Sequence, residues 1–483
     1  MATNRTHPNG LRADESVTES LRGSKEAIIT PGEFDLERNI TPSSSREDAS
    51  RWKGRTDPFA NPDGGDVEFR TMRWWQAGMI MIAETISLGI LSLPSVLAAI
   101  GIVPGVILIF ALGCLATYTG FVIGQFKLAY PHVHNMADAG EVMLGPIGRE
   151  VFGAAQILFL VFVMGSHVLT FSIMMNTITV HATCTIVFAL VGAIVCFICT
   201  IPRKLGDVSY LAIASFISIF AAVMVTMVGV GTERPGDGKV DVVVHNSFYQ
   251  AFLAVTNIIF AYSGHVAFFS FISEFKNPEE YPKALYLLQG CDTSMYIIVA
   301  IVTYYYAGEG VASPALGSAS PLLRKIAYGV AIPTIVVAGV INGHVAAKYI
   351  YVRKFRNTKH IRSNSAYTWC VWILITLILW TIAWIIAEAI PVFNDLLGLI
   401  SSLFASWFTY GLSGVFWLYM NYGRYRETRK KIFLTGLNST IFVIGLTICV
   451  LGLYASGKSI AADATGPNKQ GSFSCADNSK PSS

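Results

Sequence analysis

From residue 74 onward, long apolar runs alternate with short polar connections. Eleven runs stand out: 74–100, 104–129, 152–179, 182–201, 208–231, 248–272, 284–307, 322–347, 367–390, 395–420 and 433–455. Roughly 20 residues at ~1.5 Å each span ~30 Å of hydrocarbon, so runs of this length predict bilayer-crossing helices. The pattern predicts an all-α integral membrane protein of eleven transmembrane helices, with the membrane domain over 71–456. Residues 1–70 are rich in Ser, Thr, Pro, Gly and charge and have no hydrophobic period, which predicts a disordered tail there and a second one over 457–483.

Two runs carry polar residues where a plain anchor has none. In the first, WWQAGMIMIAETISLGILSLP, Glu84 lies ten residues beyond Trp74, about 15 Å deep at the helical rise and close to the midplane. A carboxyl at that depth faces a protein interior or a pathway. Ser87, Gly89, Ser92 and Pro94 follow within two turns and predict a broken helix, which membrane depth tolerates only where it lines a cavity. The sixth run has Ser263-Gly264-His265 at its middle. Eleven parses as five plus five plus one, and an odd number per half makes the second half an inverted repeat of the first, so runs 1 and 6 correspond.

A broken helix frees N–H groups on one half, suited to a carboxylate, and carbonyls on the other, suited to an ammonium or a cation. Two such helices side by side would clamp both ends of a zwitterionic amino acid. The candidate contacts are Ser87, Leu88, Gly89 and Ile90 in the first run and Ala261, Tyr262, Ser263 and Gly264 in the sixth. Asn342 is a helix–helix hydrogen bond first and a substrate contact second. Glu84 is read as a proton site, with a structural bond to a hydroxyl as its other role, and His265 as a ring whose nitrogens hold the break, with proton transfer as its other role. His167 and His344 read as core histidines, Asp292 as the local partner of a lysine such as Lys283, and Trp369 and Trp372 as interfacial belt.

Charge then orients the chain. Six Lys and Arg lie from Lys348 to Arg362 and five from Arg424 to Lys431, whereas the connections after runs 1, 3 and 9 carry none. The bias puts the N-terminus in the cytoplasm and the C-terminus outside. A composition that is 53% hydrophobic and only 14% charged, with mean hydropathy +0.52, agrees with a polytopic membrane protein, and a net charge of +4 does not single out nucleic acid. Cys196 and Cys199 form a C-x-x-C without polar neighbours and read as small apolar residues, so no metal and no cofactor is expected; Cys184 and Cys475 both fall on the outer side, but a disulfide between them is not expected.

SLGILSLP resembles the G-x-G-[I/L]-L-x-[I/L]-P signature of the amino acid/auxin permease family. FAYSGHVAFFSFISEFKNPEEYPKAL resembles that family's Y-x-G-H … K-N-P-x-x-[F/Y]-P-K-A-L. FRTMRWWQAGMIMIAETISLGILSLP is similar to the family's fungal neutral amino acid permeases. The resemblance implies a LeuT-type 5+5 inverted repeat plus one peripheral helix, with helices 1 and 6 broken, and coupled transport rather than enzymatic chemistry. Ser87 stands where the signature has its first glycine. Ala83 stands near the Asn with which sodium-coupled relatives ligate the ion, which leaves Glu84 as the coupling group. The expected activity is import of neutral amino acids with protons across the plasma membrane. Its alternatives are a vacuolar exporter or exchanger of the same fold, a non-transporting sensor and an intramembrane enzyme; the short tail disfavours the sensor and the scattered polar residues disfavour the enzyme.

Overall fold

The structure, a computed structural model, describes residues 70, 72–203, 208–355, 358, 360, 363, 365–465 and 471–479. The tail expected over 1–70 lies outside them apart from Arg70. The helices are α1 (Trp74–Ile100), α2 (Ile102–Ala129), α3 (Met136–Thr179), α4 (Thr185–Thr200), α5 (Val208–Glu233), α6 (Phe248–Ala261), α7 (His265–Ser273), α8 (Tyr281–Ala307), α9 (Pro321–Phe355), α10 (Ala366–Ala389), α11 (Phe393–Ile400), α12 (Leu412–Met420) and α13 (Arg429–Thr465). A π-helical stretch, Ser401–Gly411, joins α11 to α12. The sixth run is therefore α6 and α7, and the tenth is α11 through α12. Among the described residues ten helical segments are long and apolar enough to cross a membrane. The fourth run, as α4, has only 16 residues, about 24 Å at the helical rise.

Burial sorts these helices into a centre and a periphery. The most apolar stretch of α1 and that of α6–α7 are each 89% buried, α3 83% and α11–α12 78%, against 39% for α2, α5, α8 and α10. On the peripheral helices Ile107, Phe110, Ile194, Ile198 and Leu374 point outward, as a lipid-facing surface requires. α1 packs along α6, its counterpart in the repeat, and along α8. The two central helices thus meet protein on nearly every side, which is where irregular backbone and polar side chains are tolerated.

The break in the sixth run is present: α6 ends at Ala261 and α7 begins at His265, with Tyr262, Ser263 and Gly264 between. The break expected in the first run is not. α1 is one helix from Trp74 to Ile100 with Pro94 inside it. Its polar residues fold back onto their own helix: the hydroxyls of Thr85, Ser92 and Ser95 donate to Met81 O at 2.7 Å, Gly89 O at 2.9 Å and Ser92 O at 2.8 Å. Bonds of this kind are compatible with a continuous helix and at most bend it.

Other departures are local. α3 starts sixteen residues before the third run because Gly145, at φ 67°, lets a short helix turn into the membrane-crossing one at Pro146. Trp372 is 2% exposed and is no interfacial anchor: its Nε1 donates to Ile201 O at 2.9 Å, while His344 Nε2 donates to Pro202 O at 2.7 Å. Both satisfy carbonyls at the end of α4 that have no partner within the helix.

The tail expected from residue 457 is also ordered where it is described. α13 continues to Thr465, and 471–479 lies against α3, α4 and α10. Cys475 is disulfide-bonded to Cys184. Asn478 donates to Ser172 Oγ at 2.9 Å and accepts from Asn176 Nδ2 at 2.8 Å, and Thr185 Oγ1 donates to Ala476 O at 2.6 Å. Replacing Cys475 with Ser removes the covalent tie but not the hydrogen bonds. The expected loss of stability is about 2–4 kcal/mol, read as a lower melting temperature in detergent. Wild-type protein treated with a reductant should melt like the variant.

Candidate substrate and coupling site

A narrow pocket lies where α1, α3, α9 and the break between α6 and α7 converge. Glu84, Thr85, Ser87 and Leu88 line it from α1; Phe159, Val163 and His167 from α3; Phe260, Ser263 and Gly264 from the break; Asn342 from α9. Glu84 is the one carboxyl in this lining, and no Lys or Arg joins it.

Two polar atoms in this wall have nothing to bond. Ser87 Oγ and Glu84 Oε2 are both shut off from solvent and lack a hydrogen-bond partner. Buried polar atoms are nearly always satisfied, so orphans that face a cavity mark a place for a ligand or a proton. The carboxyl stands against the helix break itself: a Cβ placed on Gly264 would come within 3.3 Å of Glu84 Oε2 and 3.0 Å of Thr85 Oγ1. His167 Nδ1 lies 2.8 Å from Ile335 O. A carbonyl only accepts, so that nitrogen carries the proton, and Nε2 of the neutral ring is an acceptor.

The break is held from outside the pocket. Tyr262 is fully buried, and its hydroxyl donates to Ile109 O at 3.0 Å and sits 3.2 Å from Thr293 Oγ1. His265 Nε2 donates to Ala116 O at 2.8 Å, with Thr119 Oγ1 at 3.2 Å. Tyr296 of α8 donates to Ala261 O at 2.7 Å, taking up a carbonyl at the end of α6, and lies 3.1 Å from Thr85 O of α1. Two rings and a hydroxyl thus pin the irregular backbone to α2 and α8.

Of the expected residues, Glu84, Ser87, Leu88, Ser263, Gly264 and Asn342 come together around one space. Gly89, Ile90, Ala261, Tyr262 and His265 do not line it. Gly89 faces α6 so closely that a Cβ there would lie 2.5 Å from Ala261 Cα, so these two residues form the helix crossing rather than a substrate cradle. His265 is a peg between α7 and α2, the role weighed above against proton transfer. Thr85, Phe159, Val163, His167 and Phe260 were not expected in the lining. Phe159, Val163 and His167 are spaced i, i+4, i+8, one face of α3, and that spacing was the available signal. Asp292 does not pair with Lys283, which bonds Glu280 at 2.9 Å instead. The turn after α7 carries a buried ion pair between Glu274 and Lys348 of α9 at 2.5 Å, joined to the start of α1 through Met72.

The profile of the family described as "Transmembrane amino acid transporter protein" matches residues 70–457. The "N amino acid transport system protein" of Neurospora crassa is 39% identical over 402 residues, 81% of this chain and 86% of that one. A "Transmembrane transporter" of Gibberella moniliformis is 34% identical over 430 residues, 87% and 90% of the two chains. Among solved structures, a manganese transporter of Eremococcus coleocola superposes with a TM-score of 0.51 at 12% identity, covering 86% of this chain and 92% of that one. A Na+-coupled sialic acid symporter does so with a TM-score of 0.50 at 13% identity, covering 81% and 91%. These likenesses show the fold, which is of the LeuT type.

The geometry separates two α1 residues that sequence had grouped. Gly89→Ala should lower the amount of folded protein and its melting temperature, since Ala261 backbone occupies the space. Ser87→Ala should leave both unchanged and raise the KM for substrate about 3–10-fold, the loss of one hydrogen bond of about 0.5–1.5 kcal/mol. Size-exclusion profiles and uptake kinetics distinguish the two; equal abundance for both variants would contradict the packing role of Gly89. By family profile, relatives and fold together, the chain belongs to the transmembrane amino acid transporter family.

Proposed function

We propose that the protein is a secondary active transporter that imports neutral amino acids together with protons across the plasma membrane. The observation that carries this reading is the orphaned pair, Ser87 Oγ and Glu84 Oε2, in a cavity beside the break between α6 and α7. α7 has nine residues, and its N-terminal N–H groups suit the substrate carboxylate. The unpartnered Ser87 Oγ, with Asn342, suits the ammonium. A cavity wall of Leu88, Phe159, Val163 and Phe260 suits an apolar or small polar side chain, and no cation in it would balance an acidic one. The name of the Neurospora relative supports amino acids as the class.

Glu84 supports the coupling ion. It is the one carboxyl in the cavity lining, and a carboxyl at membrane depth marks a proton or ion pathway. Ala83 is buried and has no side-chain oxygen for sodium. One proton with a net-neutral zwitterion moves one charge, worth ~2.3 kcal/mol per 100 mV. At about 1.36 kcal/mol per decade this gives roughly fifty-fold accumulation before any pH gradient is added. The disulfide between Cys184 and Cys475 supports an outer C-terminus, since such bonds persist in oxidising compartments. Localisation of a tagged chain separates the plasma membrane from the vacuolar alternative.

Glu84→Gln keeps the size and hydrogen bonding of the protonated acid but has no proton to release. In vesicles the variant should still bind and exchange substrate, yet fail to concentrate it under an imposed proton gradient. Wild-type uptake should rise as the outside pH falls, with no need of sodium. Normal concentrative uptake by the variant would make Glu84 structural.

A further inference from the structure

One polar side chain in the cavity wall has a free acceptor and no task so far. Thr85 Oγ1 donates to Met81 O and Ser263 Oγ to Phe260 O, each at 2.7 Å. Asn342 Nδ2 donates to Ala338 O at 3.0 Å, which leaves its carbonyl oxygen, with Ser87 Oγ, for the ammonium. Glu84 serves the proton. His167 remains. It is 2% exposed and lies on α3 one turn beyond Val163 and two beyond Phe159, and all three line the cavity. Its Nδ1 donates to Ile335 O at 2.8 Å, and its Nε2 makes no hydrogen bond among the described residues. His265 and His344 also leave one nitrogen unbonded, but in both it is Nδ1, shut inside protein, and neither ring lines the cavity.

The ring is held in place from behind. Gly339 of α9 faces it so closely that a Cβ there would lie 3.0 Å from His167 Cβ and 3.1 Å from Cγ. The two nitrogens sit on different edges of an imidazole, so tying Nδ1 to α9 leaves the Nε2 edge for the cavity that the ring lines. α3 packs along α9 and α10, whereas α1 and the break between α6 and α7 lie across the cavity from it. An amino acid held by its carboxylate at the start of α7 and by its ammonium at Ser87 extends its side chain toward the α3 strip. Phe159 and Val163 there meet its carbons. A hydroxyl or amide that enters such a site gives up its hydrogen bonds to water, and an acceptor in reach of it restores one. We propose that His167 is the specificity-determining residue of the cavity: its Nε2 accepts a hydrogen bond from the substrate side chain and favours amino acids with a hydroxyl or amide donor. The inference rests on the neutral amino acid reading and adds which side chains that site selects.

The test is uptake into reconstituted vesicles of serine and of two near-isosteres, 2-aminobutyrate, in which a methyl replaces the hydroxyl, and 3-fluoroalanine, in which a fluorine replaces it and cannot donate. Wild-type protein should take up serine with a Vmax/KM about 3–10-fold above either isostere. In His167→Phe, which keeps a flat ring but no nitrogen, that preference should disappear. A wild type that treats all three alike, or a His167→Phe that still prefers serine, would overturn the proposal. Uptake of none of the three by wild type would instead sink the neutral amino acid reading. Should His167→Phe fail to reach the membrane, wild-type protein decides through diethyl pyrocarbonate, which attacks a reachable unprotonated imidazole nitrogen and is read at His167 by peptide mass spectrometry. Labelling is expected without substrate and with saturating glycine, which has no side chain, and saturating serine should block it. No labelling without substrate, or labelling that glycine and serine affect equally, would overturn the inference.

Discussion

The structure depends on how three residues of non-helical backbone are paid for at membrane depth. Between Ala261 and His265 the chain leaves the helix, and no water of the bilayer core can satisfy what it exposes. Tyr296 of α8 takes up Ala261 O at 2.7 Å, while the side chains of Tyr262 and His265 fasten the break to α2 by donating to Ile109 O at 3.0 Å and Ala116 O at 2.8 Å. With those bonds made on the outer flank of the break, its inner flank is left open toward α1, α3 and α9. The cavity is the unpinned side of the break.

This division of labour explains which candidate residues face the cavity and which do not. Residues that hold the break, Tyr262 and His265, are the bulky ones, and each is buried with a side-chain donor bonded to a carbonyl of α2. Residues that face the cavity, Ser263 and Gly264, are small, which lets Glu84 and Thr85 of α1 approach within contact of the backbone. The crossing of α1 over α6 at Gly89 and Ala261 brings the carboxyl to that depth. A larger residue at either crossing position would separate Glu84 from the break.

Much of this was legible in the sequence. The lengths of the apolar runs predicted the membrane helices, and the interruption Ser263-Gly264-His265 predicted the break. The depth of Glu84 pointed to the cavity. The first run misled because Ser, Gly and Pro within a helix are ambiguous. The hydroxyls of Thr85 and Ser92 bond back to carbonyls of their own helix, which is compatible with its continuing, and the sequence pattern does not reveal those bonds. Asp292 was assigned to Lys283 by proximity along the chain, but helical geometry takes Asp292 inward and leaves Lys283 60% exposed beside Glu280. The closing strap at 471–479 had no apolar period to announce it; its order comes from a disulfide and from side-chain hydrogen bonds to residues some 290 to 306 positions away.

The central claim is that substrate and proton cross together through one cavity. The most direct measurement is the internal pH of sodium-free proteoliposomes loaded with a pH-sensitive dye, followed while a neutral amino acid is added outside. The account predicts acidification that requires the substrate and is absent from liposomes without protein. Entry of labelled amino acid with no change in internal pH, or entry only when sodium is supplied, would contradict it.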